Sequence, residues 1–196
     1  MQLVVPSADH LPRYVRALQS GWSPNVARGA AVCQEELAQI EADPPRFLAM
    51  QDDREAEGPP FELPDGSLGR RIPGFRRWMW DGDFCGVISL RWQPGTVELP
   101  PHCLGHIGYA VVPWKQGRGY ATLAVTQLLP EAARLGLSHV DLTTDPDNHA
   151  SRRVIAKAGG TLVEHFTKPP QYGSKPGLRF RIAIPARSSG PDGVAP

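Results

Sequence analysis

Apolar and polar residues alternate along two neighbouring stretches, 76–80 (Arg-Arg-Trp-Met-Trp) and 84–92 (Phe-Cys-Gly-Val-Ile-Ser-Leu-Arg-Trp). Period-two patterning predicts strands, and the intervening Asp81-Gly82-Asp83 is a hairpin signal. Helical spacing governs the N-terminal part. Leu11, Val15 and Leu18 share one face of a helix predicted over 10–20, which Asp9 is placed to cap. Ala30, Cys33, Leu37 and Ile40 mark a second helix over 24–42, ended by Asp43-Pro44-Pro45. A short strand at 3–5 precedes both. Residues 47–50 read as another strand, and 52–74, rich in Pro, Gly and charge and without a period, as a long loop.

Downstream, 106–112 continues the sheet, 121–135 is helical and 139–144 is the next strand, the order of a parallel crossover. Pro130 removes one backbone bond from that helix and predicts a kink or an early break. A helix from Asn148, a strand at 161–166, a Pro/Gly loop to 177 and a strand at 178–184 follow, and 187–196 reads as a disordered tail. No internal repeat is visible. Residues 1–186 therefore read as one domain, long enough to bury about 70% of its unfolded surface.

Charge narrows the partners. With 21 basic and 20 acidic residues the net charge is +1, so no global field draws the chain to nucleic acid or an anionic membrane. No apolar run approaches the ~20 residues of a membrane span, and the N-terminus lacks the regions of a signal peptide, so a cytoplasmic location is expected. Three scattered cysteines, Cys33, Cys85 and Cys103, suit neither a disulfide framework nor a metal site. Cys33 and Cys85 read as reduced, buried thiols, and no metal is expected.

Gln116-Gly117-Arg118-Gly119-Tyr120-Ala121 lies between the apolar Val111-Val112 and the helical run. Two glycines within three positions let a strand-to-helix turn aim its N–H groups outward, and the helix start adds unpaired donors and a positive dipole end. Lys115 and Arg118 bring full charges to the same place, so the turn favours a pyrophosphate. The spacing is neither GxGxxG nor a Walker loop. About thirty residues on, Asn148 is placed to cap a helix in which Ala150, Val154 and Ala158 recur at helical spacing and which Gly159-Gly160 ends.

The first segment fits Q/R-x-x-G-x-G/A at Gln116, Gly119 and Ala121, and the second fits N-x-x-S-x-x-V-I-x-K-x-G-G from Asn148 to Gly160. In this order they resemble the GNAT superfamily of N-acetyltransferases, over roughly residues 75–185. The resemblance implies an α/β (α+β) fold: a mixed central β-sheet flanked by helices, with two central parallel strands splayed apart, often at a bulge. It implies acetyl-CoA as co-substrate, its pyrophosphate on the N–H groups of Gly117, Arg118, Gly119, Tyr120 and Ala121 beside Gln116. The pantetheine would pair with the strand edge at Val111 and Val112. Asn148 and, less directly, Ser151 would touch the pantetheine or thiol.

The activity implied is transfer of an acetyl group to a primary amine by direct attack in a ternary complex. The acceptor, a small molecule or a peptide, is open, and a homodimer is compatible with the resemblance. His106, ten residues before the loop, is the first choice of general base; Glu98, His102 and Tyr109 stand near it. A structural histidine in a sheet is the competing reading. The family's common tyrosine acid would fall at position 155, which is Ile155. That departure keeps a second class of function in view, a non-catalytic acyl-CoA-binding sensor or interaction module. Trp78 and Trp80 could line an acceptor pocket or fill the core. Arg70, Arg71, Arg76 and Arg77 could greet an anionic acceptor or form a solvated rim.

Overall fold

Register along one hairpin organises the first half of the molecule, which is a computed structural model describing residues 1–25 and 27–185. Strand β5 (Gly74–Trp80) pairs antiparallel with β6 (Phe84–Arg91) across the expected Asp81-Gly82-Asp83 turn. The sheet is completed by β1 (Gln2–Val4) and β2 (Asp52–Asp53), both on β5, and by β7 (Ile107–Val111) on β6, in the order β1-β5-β6-β7. A second antiparallel sheet, in the order β8-β10-β9, contains β8 (His139–Thr144), β9 (Thr161–Thr167) and β10 (Pro176–Ala183). Between 53 and 74 the expected loop carries only a two-residue ladder of β3 (Phe61–Glu62) with β4 (Leu68–Gly69).

Period-two alternation gives the first sheet two apolar faces, and helices cover both. One is packed by α1 (Leu11–Gln19), α2 (Ala30–Ala42) and the short α3 (Pro44–Ala49), through Tyr14, Leu18, Cys33, Ile40 and Phe47 against Trp78, Phe84, Val87, Ala110 and Val112. Tyr14 stacks on Trp78 with ring centroids 4.6 Å apart. The other face packs Met79, Ile88, Leu90 and Ile107 under Ala124, Val125, Leu128 and Ala132 of α4 (Tyr120–Arg134). This core continues beneath the second sheet through Val140, Leu142, Leu178 and Phe180, joined by Ile155 of α5 (His149–Lys157).

Several expectations need correcting. Asp9 does not cap α1: His10 is the cap residue, and the Ser7 carbonyl accepts the N–H groups of His10 and Leu11. The second helix starts at Ala30, because the Asn25 side chain accepts from the N–H groups of Ala27 and Arg28 and holds that segment in a turn. Residues 47–50 are not a strand. Asp43 accepts the Arg46 N–H at 3.0 Å, and Pro44 and Pro45 occupy a first helical turn, where a missing N–H costs nothing, so the residues that end α2 also begin α3. Pro130 produces no early break, since α4 runs on to Arg134. The predicted tail, 187–196, lies outside the described residues.

The expected splay lies where the two sheets meet. β7 ends one sheet and β8 the other, with no ladder between them. The His106 N–H donates to the Asp141 carbonyl at 2.7 Å, and the Asp141 N–H returns a bond to His106 Nδ1 at 3.0 Å. Beyond that contact the strands form a wedge. No bulge is recorded on β7; the register shifts fall in the β5–β6 and β9–β10 ladders instead.

Candidate active site

At the open end of the wedge the chain leaves β7, makes one 3-10 turn (Pro113–Lys115) and enters α4. Gly117 and Gly119 both take left-handed conformations, with φ of 75° and 77°. A Cβ at either would touch nothing within 4 Å, so backbone conformation rather than space calls for glycine. Among the described residues, none of the N–H groups of Gly117, Arg118, Gly119, Tyr120 and Ala121 donates to a protein acceptor. Five successive unpartnered donors at the start of a helix form an anion cradle.

Side chains fix the cradle from two directions. Gln116 Nε2 donates to the Val111 carbonyl at 3.2 Å, tying the turn to the end of β7. From the β5–β6 hairpin, Asp81 receives Lys115 Nζ at 2.8 Å and the Tyr120 hydroxyl at 2.7 Å. The Lys115 ammonium holds the Asp81 carboxyl far below the usual carboxylate range. Lys115 is thus already paired, contrary to its expected availability to a phosphate, while Arg118 remains exposed. The hairpin turn thus places a carboxylate beside the cradle, where its sequence announces only a turn.

Val111 and Val112 divide their roles. The Val111 carbonyl faces away from β6, and in an extended strand its own N–H points the same way. The Val112 N–H is committed to the Cys85 carbonyl at 3.0 Å and its side chain is fully buried, so it offers no N–H to a pantetheine. Across the wedge, Asn148 Oδ1 accepts the Ser151 N–H at 2.9 Å, the expected cap, which leaves the Asn148 amide nitrogen free to donate. The Tyr109 hydroxyl and Ser151 Oγ are 2.8 Å apart, linking β7 to the first turn of α5. Burial raises the Tyr109 pKa, so its hydroxyl keeps its proton at neutral pH. Ile155 is fully buried in the core.

His106 is 1% exposed. Its Nδ1 lone pair accepts the Asp141 N–H, which leaves the proton on Nε2, and among the described residues Nε2 finds no hydrogen-bond partner. Burial pushes its pKa down to about 4, against the upward pull of the Asp141 carboxylate. A neutral imidazole whose only free lone pair is already bonded cannot take a proton from a substrate. The geometry therefore supports the competing reading of His106, a structural histidine, rather than the expected base. His106 borders a pocket of about 410 Å³ that is also lined by Glu98, His139, Asp141, Glu164 and Arg181. His102 lies elsewhere, its Nε2 on the Arg70 carbonyl at 2.9 Å.

The remaining candidates are mostly structural. Trp78 is fully buried and Trp80 packs edge-on against His10. Arg76 pairs with Glu36 at 2.9 Å inside a buried cluster that includes the Tyr14 hydroxyl, and Arg77 pairs with Asp52 at 2.9 Å. Cys33, Cys85 and Cys103 are free and buried. Among the described residues no group of three or more His, Cys, Asp or Glu could hold a metal ion, and no helix is long and apolar enough to cross a membrane.

A family profile described as the acetyltransferase (GNAT) domain matches residues 34–161, a span that contains the cradle and the Asn148 cap. No curated protein sequence matches the chain. Among solved structures, the ribosomal-protein α-N-acetyltransferase RimL in complex with coenzyme A has a TM-score of 0.61 at 15% identity, with 93% of this chain and 93% of that one covered. A spermidine N-acetyltransferase, SpeG, from Vibrio cholerae has a TM-score of 0.55 at 12% identity, covering 94% and 95% of the two chains. The microcin C7 self-immunity acetyltransferase MccE, in complex with acetyl-CoA and AMP, has a TM-score of 0.54 at 14% identity, covering 93% and 91%.

Proposed function

Since this chain belongs to the GNAT acetyltransferase family and is an acyltransferase by that membership, we propose that it transfers an acetyl group from acetyl-CoA to a primary amine by direct attack in a ternary complex. The observation that carries this reading is the run of five unpartnered N–H groups at Gly117–Ala121, opening onto the wedge between β7 and β8. A coenzyme pyrophosphate satisfies those donors. Its pantetheine arm then lies along the wedge, paired with Val111 on one side and with the Asn148 amide nitrogen on the other.

In the reaction the amine nitrogen bonds to the thioester carbonyl carbon, the carbon–sulfur bond breaks, and the thiolate must gain a proton. With Ile155 in the core, the Tyr109–Ser151 hydroxyl pair is the donor that spans the wedge. The amine loses its own proton to water, since His106 has no lone pair to offer. The sensor reading draws on Ile155, and the hydroxyl pair supports the enzymatic reading beside it.

Calorimetry with coenzyme A and release of free thiol from acetyl-CoA over an amine panel test the proposal. Saturable binding and turnover are expected in the wild type. Gly119→Asp sets a carboxylate against the phosphates and is expected to weaken coenzyme binding at least 100-fold. Unchanged affinity in that variant overturns the cradle assignment, and tight binding without turnover by any amine favours the sensor.

A further inference from the structure

β7 and β8 part without a bulge on β7, and the hydrogen bonds at the apex show what separates them instead. In a parallel ladder the N–H and C=O of one residue turn to the same neighbouring strand. At His106 they diverge. Its N–H goes to the Asp141 carbonyl of β8 at 2.7 Å, while its carbonyl accepts the Arg91 N–H of β6 at 3.0 Å. A continued ladder would send the Asp141 N–H to the Leu104 carbonyl and the Thr143 N–H to the His106 carbonyl. Both acceptors are taken, Leu104 by Arg179 Nη1 at 3.0 Å and His106 by Arg91. The imidazole Nδ1 stands in for the first, at 3.0 Å from the Asp141 nitrogen. Beyond that bond no main-chain hydrogen bond joins β7 to β8 among the described residues.

Gly105 shows that the apex is built for close approach. A Cβ there would lie 2.9 Å from the Asp141 carbonyl oxygen and 3.4 Å from the Thr143 nitrogen, so a bare α-carbon lets the chain press against β8 just before the strands separate. The ring has no room to swing away, being fully buried with the His139 ring edge-on to it at 6.2 Å between centroids. Further along, the bonds of His106 and Val112 to β6 fix the alternation of β7, which turns the main-chain groups of Ile107, Tyr109 and Val111 to the wedge. With a pyrophosphate in the cradle at the open end, the thioester at the far end of the pantetheine arm lies nearest the apex.

We propose that His106 is a positioning residue for the thioester: its imidazole replaces the main-chain acceptor of a parallel ladder, pins β8 to β7 at one point, and so fixes where the strands part and how the end of the pantetheine arm is seated. The inference rests on the acyltransfer reading and gives His106 a part in the same site without contact to the reacting atoms. Removing the acceptor leaves the buried Asp141 N–H unpaired, and the two strands shift to satisfy it.

The test compares, by calorimetry on the full chain, acetyl-CoA with 3′-phosphoadenosine 5′-diphosphate, which carries the diphosphate without the arm. Their affinity ratio reports the arm alone, because a general loss of stability or a damaged cradle weakens both. In the wild type acetyl-CoA is expected to bind about tenfold or more tightly than the arm-less nucleotide. His106→Leu, which occupies the ring's space but has no acceptor, is expected to cut that ratio about fivefold or more. His106→Asn, whose Oδ1 stands as far along the side chain as Nδ1, is expected to restore it to within about twofold of the wild type. Gly105→Ala keeps the imidazole and pushes β8 away from it, so it is expected to cut the ratio too, and it decides the matter if His106→Leu does not fold. An unchanged ratio in the deciding variant, or one as low in His106→Asn as in His106→Leu, overturns the assignment. The wild type separates the two proposals: no binding of either ligand strikes the acyltransfer reading, whereas binding that ignores the arm strikes the role of His106 alone.

Discussion

His106 shows how one buried hydrogen bond decides a residue's chemistry. Because burial holds its pKa near 4, below the 6.5 of an exposed imidazole, the unfolded chain binds a proton that the folded chain refuses between those values. The neutral ring therefore contributes stability above pH 6.5 that is lost as the pH falls toward 4, on the order of 3 kcal/mol at the limit. His106→Gln keeps an acceptor for the Asp141 N–H without the titration. Urea melts at pH 7 and pH 4.5 are expected to show a smaller acid loss in the variant than in the wild type; equal losses would remove this role. Tyr109→Phe bears on catalysis instead. Losing the hydroxyl bonded to Ser151 is expected to lower kcat about 100-fold, within the usual range for a proton donor, with coenzyme affinity retained. Stopped-flow thiol release measures it, and an unchanged kcat assigns the proton to another donor.

At the level of elements, the turn between β5 and β6 governs the cradle more than its distance in sequence suggests. Asp81 neutralises Lys115 and holds Tyr120, so a carboxylate stands behind the donors that face an anion. Asp81→Asn keeps an acceptor for Tyr120 while freeing the Lys115 charge and removing a repulsion. Coenzyme affinity is expected to rise several-fold at low salt, with the gain shrinking as screening increases; a loss of affinity would show that the ion pair acts mainly by shaping the turn. Local signals made much of this architecture legible. The hairpin was announced by alternation and Asp81-Gly82-Asp83, the cradle by Gly117 and Gly119, and the α5 cap by Asn148. The Pro44-Pro45 pair misled because a proline that ends one helix is equally suited to begin another. Long-range pairings left no local mark: nothing around Asp81 points to Lys115. His106, the first choice of general base from its place before the loop, is bonded instead to the Asp141 N–H, thirty-five residues away, a pairing that leaves no local mark.

Across the whole molecule, two antiparallel sheets share one core while their edges part at the wedge. A ligand bound along that wedge touches β7, the cradle and α5 together, and only in the folded state. At a coenzyme A concentration 100 times its dissociation constant, binding adds about 2.7 kcal/mol. For a domain of this size that is expected to raise Tm by about 5–10 °C. Differential scanning fluorimetry reads the shift, which should follow the logarithm of coenzyme concentration; a flat response excludes binding to the native wedge.

The cradle is made of peptide groups, whereas the Asp81–Lys115 pair beside it is made of side chains. Mutation cannot delete an amide from the main chain, yet a single codon change removes a carboxylate. Descendants of such a scaffold can drift far in composition and still accept the same donor, while their choice of recipient is rewritten one position at a time.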